Sequence, residues 1–493
     1  MTLADERLRE LDNPSLTESE RAMLRCSVAA DLTQKGQYEA AREALGELWR
    51  DEGERPEVKG LPPAVAAEVL LRCGALMGLL GGARNVSGVQ ERAKDLLTEA
   101  VRKFQSQGQH RKASEAQCEL GACYWRLGAH DDARVIMQEA LKPLTESDVE
   151  LKAKIHIRRT LVEISENRYH EALNILKEAE PVFQSADDAL KGKWHGQKGL
   201  VLRRLATAEG RADYSDRAII EFTAAIYHYE RAKNERYCAR NLNNLAMLLY
   251  KLGRYKEAHD YLDRAEFIFT KLKDPGNLAQ VDETRTRVLI ADKRYREAER
   301  IIAGVIKTFE QGGEAALLAD ALTLQGVAWA RLGIFESSIN VLRRAAEVAE
   351  GVGALIAAGL SALTLIEEHG AARLSAPEVA RLYFRADRLL KGTQDAEDIA
   401  RLRACARVAI KRLSGMRLRD KNFSFYGAVQ DFEATIIEQA LEEEQGSVTR
   451  AAKLLGLKHQ TLTSMLQTRH QKLLAKRTPP EKRLRSIIKE SKE

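Results

Sequence analysis

Side chains that bind phosphates or hydrogen-bond to base edges gather near the carboxyl end of the 493-residue chain. Lysine and arginine neutralise phosphates, whereas threonine, serine and histidine can pair with bases. Residues of these types include Thr449, Arg450, Lys458, His459, Thr461, Thr463, Ser464 and Lys472. Residues 446–493 hold twelve Lys and Arg against three Asp and Glu, while the rest of the chain is slightly acidic. Such a basic segment fits a nucleic-acid arm, a membrane patch or a solvated surface, so its other residues must decide.

Small and apolar residues in the same segment predict two helices joined by a sharp turn. A helix-turn-helix needs a small residue where the helices cross, a glycine four positions later, and an apolar anchor six positions beyond that glycine. Ala452, Gly456 and Leu462 meet these requirements. The expected core residues between them are Ala451, Leu455, Leu457, Met465 and Leu466. A second helix, from about His459 to His470, would then lie in the major groove with its first residues toward the bases.

Residues 431–473 resemble the Fis-type helix-turn-helix, which also closes bacterial NtrC-like regulators. The coinciding positions are Gly446, Thr449-Arg-Ala-Ala452, Gly456, Thr461-Leu462 and Leu466. In that family the preceding helix, predicted here over Gln430–Glu444, helps to form a dimer. The resemblance implies that Thr449 and Arg450 approach the phosphate backbone. It also implies groove-reading residues, which are Lys458, His459, Thr461, Thr463 and Ser464.

Two features depart from that family's pattern. Lys458 stands where Asn or Ser is common, and lysine has no side-chain oxygen with which to cap a helix. Thr463 and Ser464 stand where Arg or Lys is usual, which predicts fewer phosphate contacts and a weaker dependence of affinity on salt. The basic tail, which includes Lys472 and Lys476, offers replacement cations.

A second group of candidate residues lies near the middle of the chain. These residues share one face of a predicted helix and are Arg240, Asn243, Asn244, Met247 and Tyr250. Asparagine amides can hold a peptide backbone, and an arginine can hold a carboxylate. The same residues could equally be a solvated helix face. Elsewhere, comparable positions hold Glu115, Trp125 and Arg126, or Asp320, Thr323 and Arg331, without a consistent sign of charge, so no ligand class follows.

The element that carries these residues repeats along the chain. Strings related to residues 251–258 (KLGRYKEA) recur, and each closes on a small residue. These small residues fall at positions 133, 172, 258, 298 and 338, about 40 apart. In each copy a glycine, or Asn167 in one, is expected to end the first helix in the left-handed conformation. The small residue then lets the second helix approach closely. Such hairpins cannot bury both faces alone and must stack.

Residues 18–350 resemble the tetratricopeptide repeat family. One unit matches it at Leu120-Gly121, Tyr124, Gly128, Ala133 and Ala140. The units run to about 40 residues instead of the usual 34, which predicts helices longer by a turn, and insertions at Gly81–Ser87 and Ala206–Asp213 are expected to lengthen two connections. The resemblance implies an all-α, right-handed superhelix whose groove, lined by first helices, binds peptides or protein segments.

The domain boundaries follow from where the repeat pattern ends. Helices predicted over 357–369, 376–391 and 395–413 fit a divergent last repeat and a capping helix. The repeat domain is therefore predicted over 1–413, a linker over 414–429, the helix-turn-helix over 430–475 and a basic tail over 476–493.

Several kinds of function are not favoured by the sequence. It contains no GxxxxGK[ST] loop and no spacing typical of a nucleophile or a metal site, so we expect neither an enzyme nor a cofactor. The six cysteines sit among apolar neighbours and are expected to be buried. Val65–Leu80 is interrupted by Glu68 and Arg72 and is too short to span a bilayer. No secretory signal is recognisable, so a cytoplasmic location without a membrane partner is expected.

Two functions remain open. In the first, the repeats sense a peptide or protein and the carboxy-terminal module binds DNA as a transcriptional regulator, either as a monomer or as a homodimer through that module. In the second, the chain is a repeat adaptor whose last helices only cap or dimerise it.

Overall fold

Every regular element of the described chain is helical, as predicted. The structure is a computed structural model that describes residues 13, 15–34, 37–50, 54–84, 88–312, 314–393, 395–414 and 424–477. The α-helices are α1 (Glu18–Gln34), α2 (Tyr38–Leu45), α3 (Pro63–Arg84), α4 (Val89–Ser106), α5 (His110–Arg126), α6 (His130–Leu141), α7 (Val149–Ser165), α8 (Tyr169–Glu178), α9 (Glu180–Gln184), α10 (Asp188–Glu209), α11 (Ala212–Arg231), α12 (Glu235–Lys251), α13 (Tyr255–Lys271), α14 (Pro275–Ala291), α15 (Tyr295–Gly312), α16 (Ala315–Arg331), α17 (Phe335–Gly351), α18 (Leu355–Leu365), α19 (Ala376–Leu389), α20 (Ala396–Ser414), α21 (Phe425–Glu443), α22 (Val448–Leu454) and α23 (His459–Thr468).

The chain divides into two compact units, Met1–Asp292 and Lys293–Glu493. In the first unit, consecutive helices pair as the hairpins α1/α2, α3/α4, α5/α6, α7/α8, α10/α11 and α12/α13, followed by α14. In the second unit, α15 precedes the hairpins α16/α17 and α18/α19, then α20 and the last three helices. The repeated helical hairpin is thus the building block of both units, as the sequence predicts.

The forty-residue period is visible in the backbone angles. Left-handed residues recur at Gly253, Lys293 and Gly333, with φ of 75°, 64° and 82°. A second series recurs between hairpins at Lys233 and Lys273, each with φ of 52°. The sequence prediction reserved this conformation for glycine and Asn167, and Lys293 shows that lysine also adopts it. The helices on either side set the turn, so a side chain is tolerated there at about 1–2 kcal/mol.

The small residue of each repeat lies where two helices touch. All five such residues are fully buried, namely Ala133, Ala172, Ala258, Ala298 and Ser338. The paired first helix often contributes a glycine at the crossing. A Cβ added to Gly121 would lie 2.6 Å from Cγ of Met137, so the two helices approach more closely than a methyl group allows. The predicted role of the small residue is confirmed.

The described parts of the two predicted insertions are mostly helical, and residues 85–87 of the first insertion lie outside the described residues. Residues 81–84 belong to α3, and α10 continues to Glu209, so each of these helices is 22 residues long. Only Gly210, with φ of 66°, and Arg211 separate α10 from α11. For the second stretch, the prediction of a lengthened connection was wrong, because Ala206–Glu209 favour helix and extend the preceding helix.

Helices lie over each of the three stretches predicted for a last repeat and a capping helix. Beyond α18 the helix widens into a π turn over Ile366–Gly370, and α19 completes the hairpin. Cys405 and Ala409 of α20 are buried in the same core as residues of α18 and α19. Thus α20 covers apolar surface that the last hairpin leaves, which is what a capping helix does.

The predicted linker is shorter than expected. Residues 415–423 of it lie outside the described residues, and residues 425–429 are helical. The reason is local, because Oγ of Ser424 accepts a hydrogen bond of 3.1 Å from the N–H of Gly427 and so caps α21. The helix before the turn therefore begins at Phe425 and not at Gln430.

Among the described residues, α3 is the one helix both long enough and apolar enough to cross a membrane, contrary to the prediction from Val65–Leu80. Its window Pro63–Leu80 has a mean hydropathy of 1.6, but 72% of that window is buried inside the protein. Glu68 and Arg72 pair within the helix at 2.5 Å. Burial against protein is what a core helix shows, and the apolar composition of α3 is accounted for by that packing.

Candidate nucleic-acid interface and repeat surface

The last three helices form a small bundle with its own core. The bundle joins α21, α22, α23 and a 3₁₀ turn over Gln471–Lys476. Its buried residues are Ile437, Ala440, Leu441, Val448, Ala451, Ala452, Leu462, Leu466 and Leu473. Leu455, Leu457 and Met465 pack against them while partly exposed. The core residues predicted between Ala451 and Leu466 therefore lie in the core or at its edge.

The turn between α22 and α23 has the predicted geometry. Gly456 has φ of 66°, and its N–H donates to the carbonyl of Lys453 at 3.1 Å. Nothing lies within 4 Å of a Cβ built on Gly456, so glycine is favoured there by the backbone angle and not by space. Ala452 and Leu462 are almost fully buried on either side of the turn.

The amino end of α23 presents polar side chains to solvent. Lys458 occupies the N-cap position without a side-chain hydrogen bond, as expected for lysine, and is exposed. His459, Thr461 and Ser464 are also exposed. Thr463 differs from the prediction, because it is half-buried and its Oγ1 is enclosed without a hydrogen-bond partner among the described residues. Its hydroxyl is therefore not displayed on the open face of the helix.

Two exposed residues of α23 were missed in the sequence. Gln460 and Gln467 lie with Ser464 at a spacing of four and three residues, which places the three on one face of the helix. That face is opposite the buried Leu462 and Leu466. The signal was present in the sequence, since projecting the helix from its apolar anchors points to both glutamines.

Several cations of the bundle are already engaged by carboxylates. Nε of Arg450 donates to Glu444 at 2.8 Å, and Nζ of Lys476 lies 2.6 Å from Glu438 and 2.5 Å from Glu442. Thr449 and Lys472 are exposed. The tail over residues 478–493 lies outside the described residues. Lys476 was expected to replace phosphate contacts that Thr463 and Ser464 do not make. Its ion pairs with two acidic residues of α21 partly neutralise its charge.

One face of α21 shows apolar side chains to solvent. Val429, Phe432 and Ile436 are 37%, 53% and 38% exposed, and their spacing places them on one side of the helix. The opposite side, with Ile437, Ala440 and Leu441, faces the bundle core. An apolar row outside the core is typical of a helix that packs on another protein surface.

In the repeat region, the predicted residues lie on α12 with different exposure. Arg240 is exposed, and Cζ of its guanidinium lies 5.7 Å from the centre of the Tyr237 ring. Asn243, Asn244, Met247 and Tyr250 are half-buried. Oδ1 of Asn243 is buried and lacks a hydrogen-bond partner among the described residues, so this oxygen, like Oγ1 of Thr463, is not displayed to solvent.

Two family models match parts of the chain. Residues 428–467 match the model described as bacterial regulatory protein, Fis family, and residues 239–265 match the tetratricopeptide repeat. The chain therefore combines tetratricopeptide repeats with a carboxy-terminal Fis-type helix-turn-helix. Neither matched family is a family of enzymes. A search of curated proteins gave no match.

Three solved structures are similar to parts of the chain at low identity. The apo form of the quorum sensor NprR from B. thuringiensis is 15% identical, with a TM-score of 0.49 over 70% of this chain and 97% of that one. Aspartyl phosphate phosphatase F from Bacillus subtilis is 15% identical, with a TM-score of 0.47 over 70% and 88%. A Rap protein in complex with the Competence and Sporulation Factor is 17% identical, with a TM-score of 0.46 over 74% and 100%.

Proposed function

We propose that the protein is a cytoplasmic transcriptional regulator that binds DNA through α23 and a peptide or protein segment through its repeats. The observation that carries the proposal is the exposed polar face of α23 beyond a Gly456 turn of helix-turn-helix geometry. The match of residues 428–467 to the Fis-family model supports it. The proposed function involves neither an enzymatic reaction nor a cofactor.

The exposed side chains divide into two roles. Glutamine pairs in a bidentate manner with adenine, so Gln460 and Gln467 join His459, Thr461 and Ser464 as base-reading candidates. Lys458, Thr449 and Lys472 would contact phosphates at the rim. Arg450 reaches a phosphate only by leaving Glu444, and the half-buried Thr463 contributes shape and not a hydrogen bond.

The apolar row of α21 supports a homodimer. Two copies that bury Val429, Phe432 and Ile436 against each other would present two α23 helices to one DNA duplex. The expected operator is then an inverted repeat whose half-sites lie about one helical turn apart. A single protected half-site in footprinting would argue against this dimer.

The proposal is tested with the full-length protein and a duplex selected from a random library. Gln460→Ala combined with Ser464→Ala should weaken binding to the selected duplex by about ten- to a hundredfold, because base-edge hydrogen bonds are lost. Gln105→Ala, at an exposed glutamine of α4, is the matched control and should bind as the wild type. Fluorescence anisotropy across a salt series measures both.

The alternative outcome has a clear meaning. Selection that returns no preferred sequence, with affinity unchanged in the α23 variant, would overturn the regulator. A repeat adaptor whose last helices cap or dimerise it would then be the better description.

A further inference from the structure

Four cations lie together on the first helices of three successive hairpins in the first unit. We call Arg126 of α5, Lys154 and Arg158 of α7, and Lys193 of α10 the cation cluster; all four are half-buried. One carboxylate, that of Glu119, lies 2.6 Å from Nζ of Lys154 and 2.8 Å from Nη2 of Arg158. No salt bridge within the described residues involves Arg126 or Lys193.

Two cations of the cluster have lowered pKa values, chiefly because they are buried. Burial lowers the pKa of Lys193 to about 8, and the like charges of Arg158 and Lys154 add to the effect. Burial also lowers the pKa of Arg126, with a further contribution from Arg158. Burial alone would raise the pKa of Glu119, but Arg158 and Lys154 hold it below its usual range, so this carboxylate is ionised. Three positive charges remain uncompensated.

Two acidic residues of neighbouring helices, Glu68 of α3 and Glu115 of α5, already pair with other cations. Arg72 lies 2.5 Å from Glu68 and 2.7 Å from Glu115, and Lys112 lies 3.0 Å and 3.2 Å from the same two carboxylates. This network of two cations and two carboxylates is balanced by itself. The excess of positive charge therefore belongs to the cation cluster.

Two partly exposed amide side chains, on α10 and α12, each carry an oxygen without a partner among the described residues. Gln197 lies one turn from Lys193, and its Oε1 is buried without a hydrogen-bond partner in the described part of the chain, as is Oδ1 of Asn243. The two helices pack closely, because a Cβ on Gly196 would lie 2.8 Å from Oδ1 of Asn241. A side-chain amide both donates and accepts, which matches the N–H and C=O of an extended peptide.

We infer that this surface binds an acidic peptide segment, with its carboxylates on the cation cluster and its backbone on the amides of Gln197 and Asn243. Charge complementarity fixes the sign of the ligand, since a carboxylate would neutralise cations that are already desolvated. The amides favour a peptide over a nucleic-acid backbone, which has phosphates but no N–H to offer. The inference rests on the proposed peptide-binding role of the repeats and names the chemistry of that partner.

The test selects dodecapeptides from a random phage-displayed library on the full-length protein. The selected peptides should be enriched in Asp and Glu over the library. The strongest binder, labelled with fluorescein, should lose at least tenfold in affinity when its Asp and Glu become Asn and Gln. Lys193→Met and Arg126→Met should each weaken binding about tenfold, the size expected for one charge-assisted hydrogen bond. Lys177→Met, at an exposed lysine of α8, should stay within about twofold of wild type.

Each contrary result has a different meaning. Selected peptides that are neutral or basic would overturn the acidic ligand while leaving a peptide-binding repeat in place. If acidic peptides bind Lys193→Met and Arg126→Met as tightly as the wild type, the cation cluster is not their binding site. If a short DNA duplex of arbitrary sequence displaces the peptide, the cation cluster binds nucleic acid instead. If no peptide binds, the inference and the peptide role both fall, while DNA binding is judged by its own assay.

Discussion

Nη2 of Arg158 lies 2.8 Å from Oε2 of Glu119 and so joins α7 to α5 across 39 residues of sequence. Similar contacts elsewhere in the first unit join residues one repeat apart. Arg264 reaches Glu230 at 2.9 Å across 34 residues, and Lys271 reaches Glu235 at 2.5 Å across 36. The contact of Arg158 differs from these surface pairs because Glu119 is almost fully buried.

Replacing Glu119 by Gln should therefore destabilise the protein strongly. The substitution leaves the cation cluster without its carboxylate, and removing one partner of a buried ion pair costs about 3–5 kcal/mol. Urea unfolding at pH 7 measures the change. Glu178→Gln, at an exposed carboxylate of α8, should stay within about 0.5 kcal/mol of wild type. A loss below about 1 kcal/mol for Glu119→Gln would show that solvent already screens the cluster.

Replacing Lys193 by Met should stabilise the protein at neutral pH. The pKa of Lys193 is about 8 in the folded protein, below that of an unfolded lysine, so its charged form opposes folding. This cost is about 3 kcal/mol below pH 8, and it falls away as pH rises toward about 10.5, because the unfolded chain then holds more protons than the folded one. The advantage of Lys193→Met in urea unfolding should accordingly shrink between pH 7 and pH 10. An advantage independent of pH would point to packing.

Alanine should have opposite effects at two glycines. Gly456 has φ of 66°, so Gly456→Ala places a side chain in the left-handed region at a cost of about 1–2 kcal/mol. Gly304, inside α15, has open space around its Cβ position, so Gly304→Ala should stabilise that helix by about 0.5–1 kcal/mol. Hydrogen exchange of α22–α23 and of α15 reports each effect locally. The same sign at both sites would contradict the backbone argument.

A charge on the exposed row of α21 should separate the proposed dimer. Phe432→Glu places a carboxylate at the centre of that row, and its desolvation in an interface costs several kcal/mol. Sedimentation velocity should show a monomer, and affinity for a two-half-site duplex should fall at least tenfold. Gln430→Glu, at an exposed residue near the start of α21, controls for the added charge. A wild-type protein that sediments as a monomer at all concentrations would remove this dimer from the proposal.

The features that sequence reasoning predicted correctly depend on local chemistry. The forty-residue hairpins follow from turn residues and small residues at a fixed spacing. The helix-turn-helix follows from Ala452, Gly456 and Leu462, whose types and separation already describe a crossing, a turn and an anchor. Each of these signals lies within about ten residues of chain, so no knowledge of distant packing is required.

The features that were missed depend on context beyond that window. Thr463 has the composition of a surface residue, yet the packing of its neighbours encloses its hydroxyl. The start of α21 is set by the capping oxygen of Ser424, which lay inside a stretch without a clear period. The sign of the charge on the repeat surface could not be predicted from the sequence, because Arg126, Lys154 and Lys193 come from three helices of different hairpins. Their combined charge is visible only once those helices are side by side.

Because the repeats are nearly equal in length, the chain can be extended by whole repeats. Left-handed residues at Lys233 and Lys273 mark the two ends of one complete hairpin, and the hairpins of this region use helices of 17 or 18 residues. Copying residues 234–273 in tandem would thus add one hairpin whose edges fit the old neighbours, whereas a partial copy would turn apolar faces toward water. Gene duplication in whole units is the mutational step that this architecture accepts most readily, and each added unit brings a fresh ligand surface that can diverge while the older ones keep working.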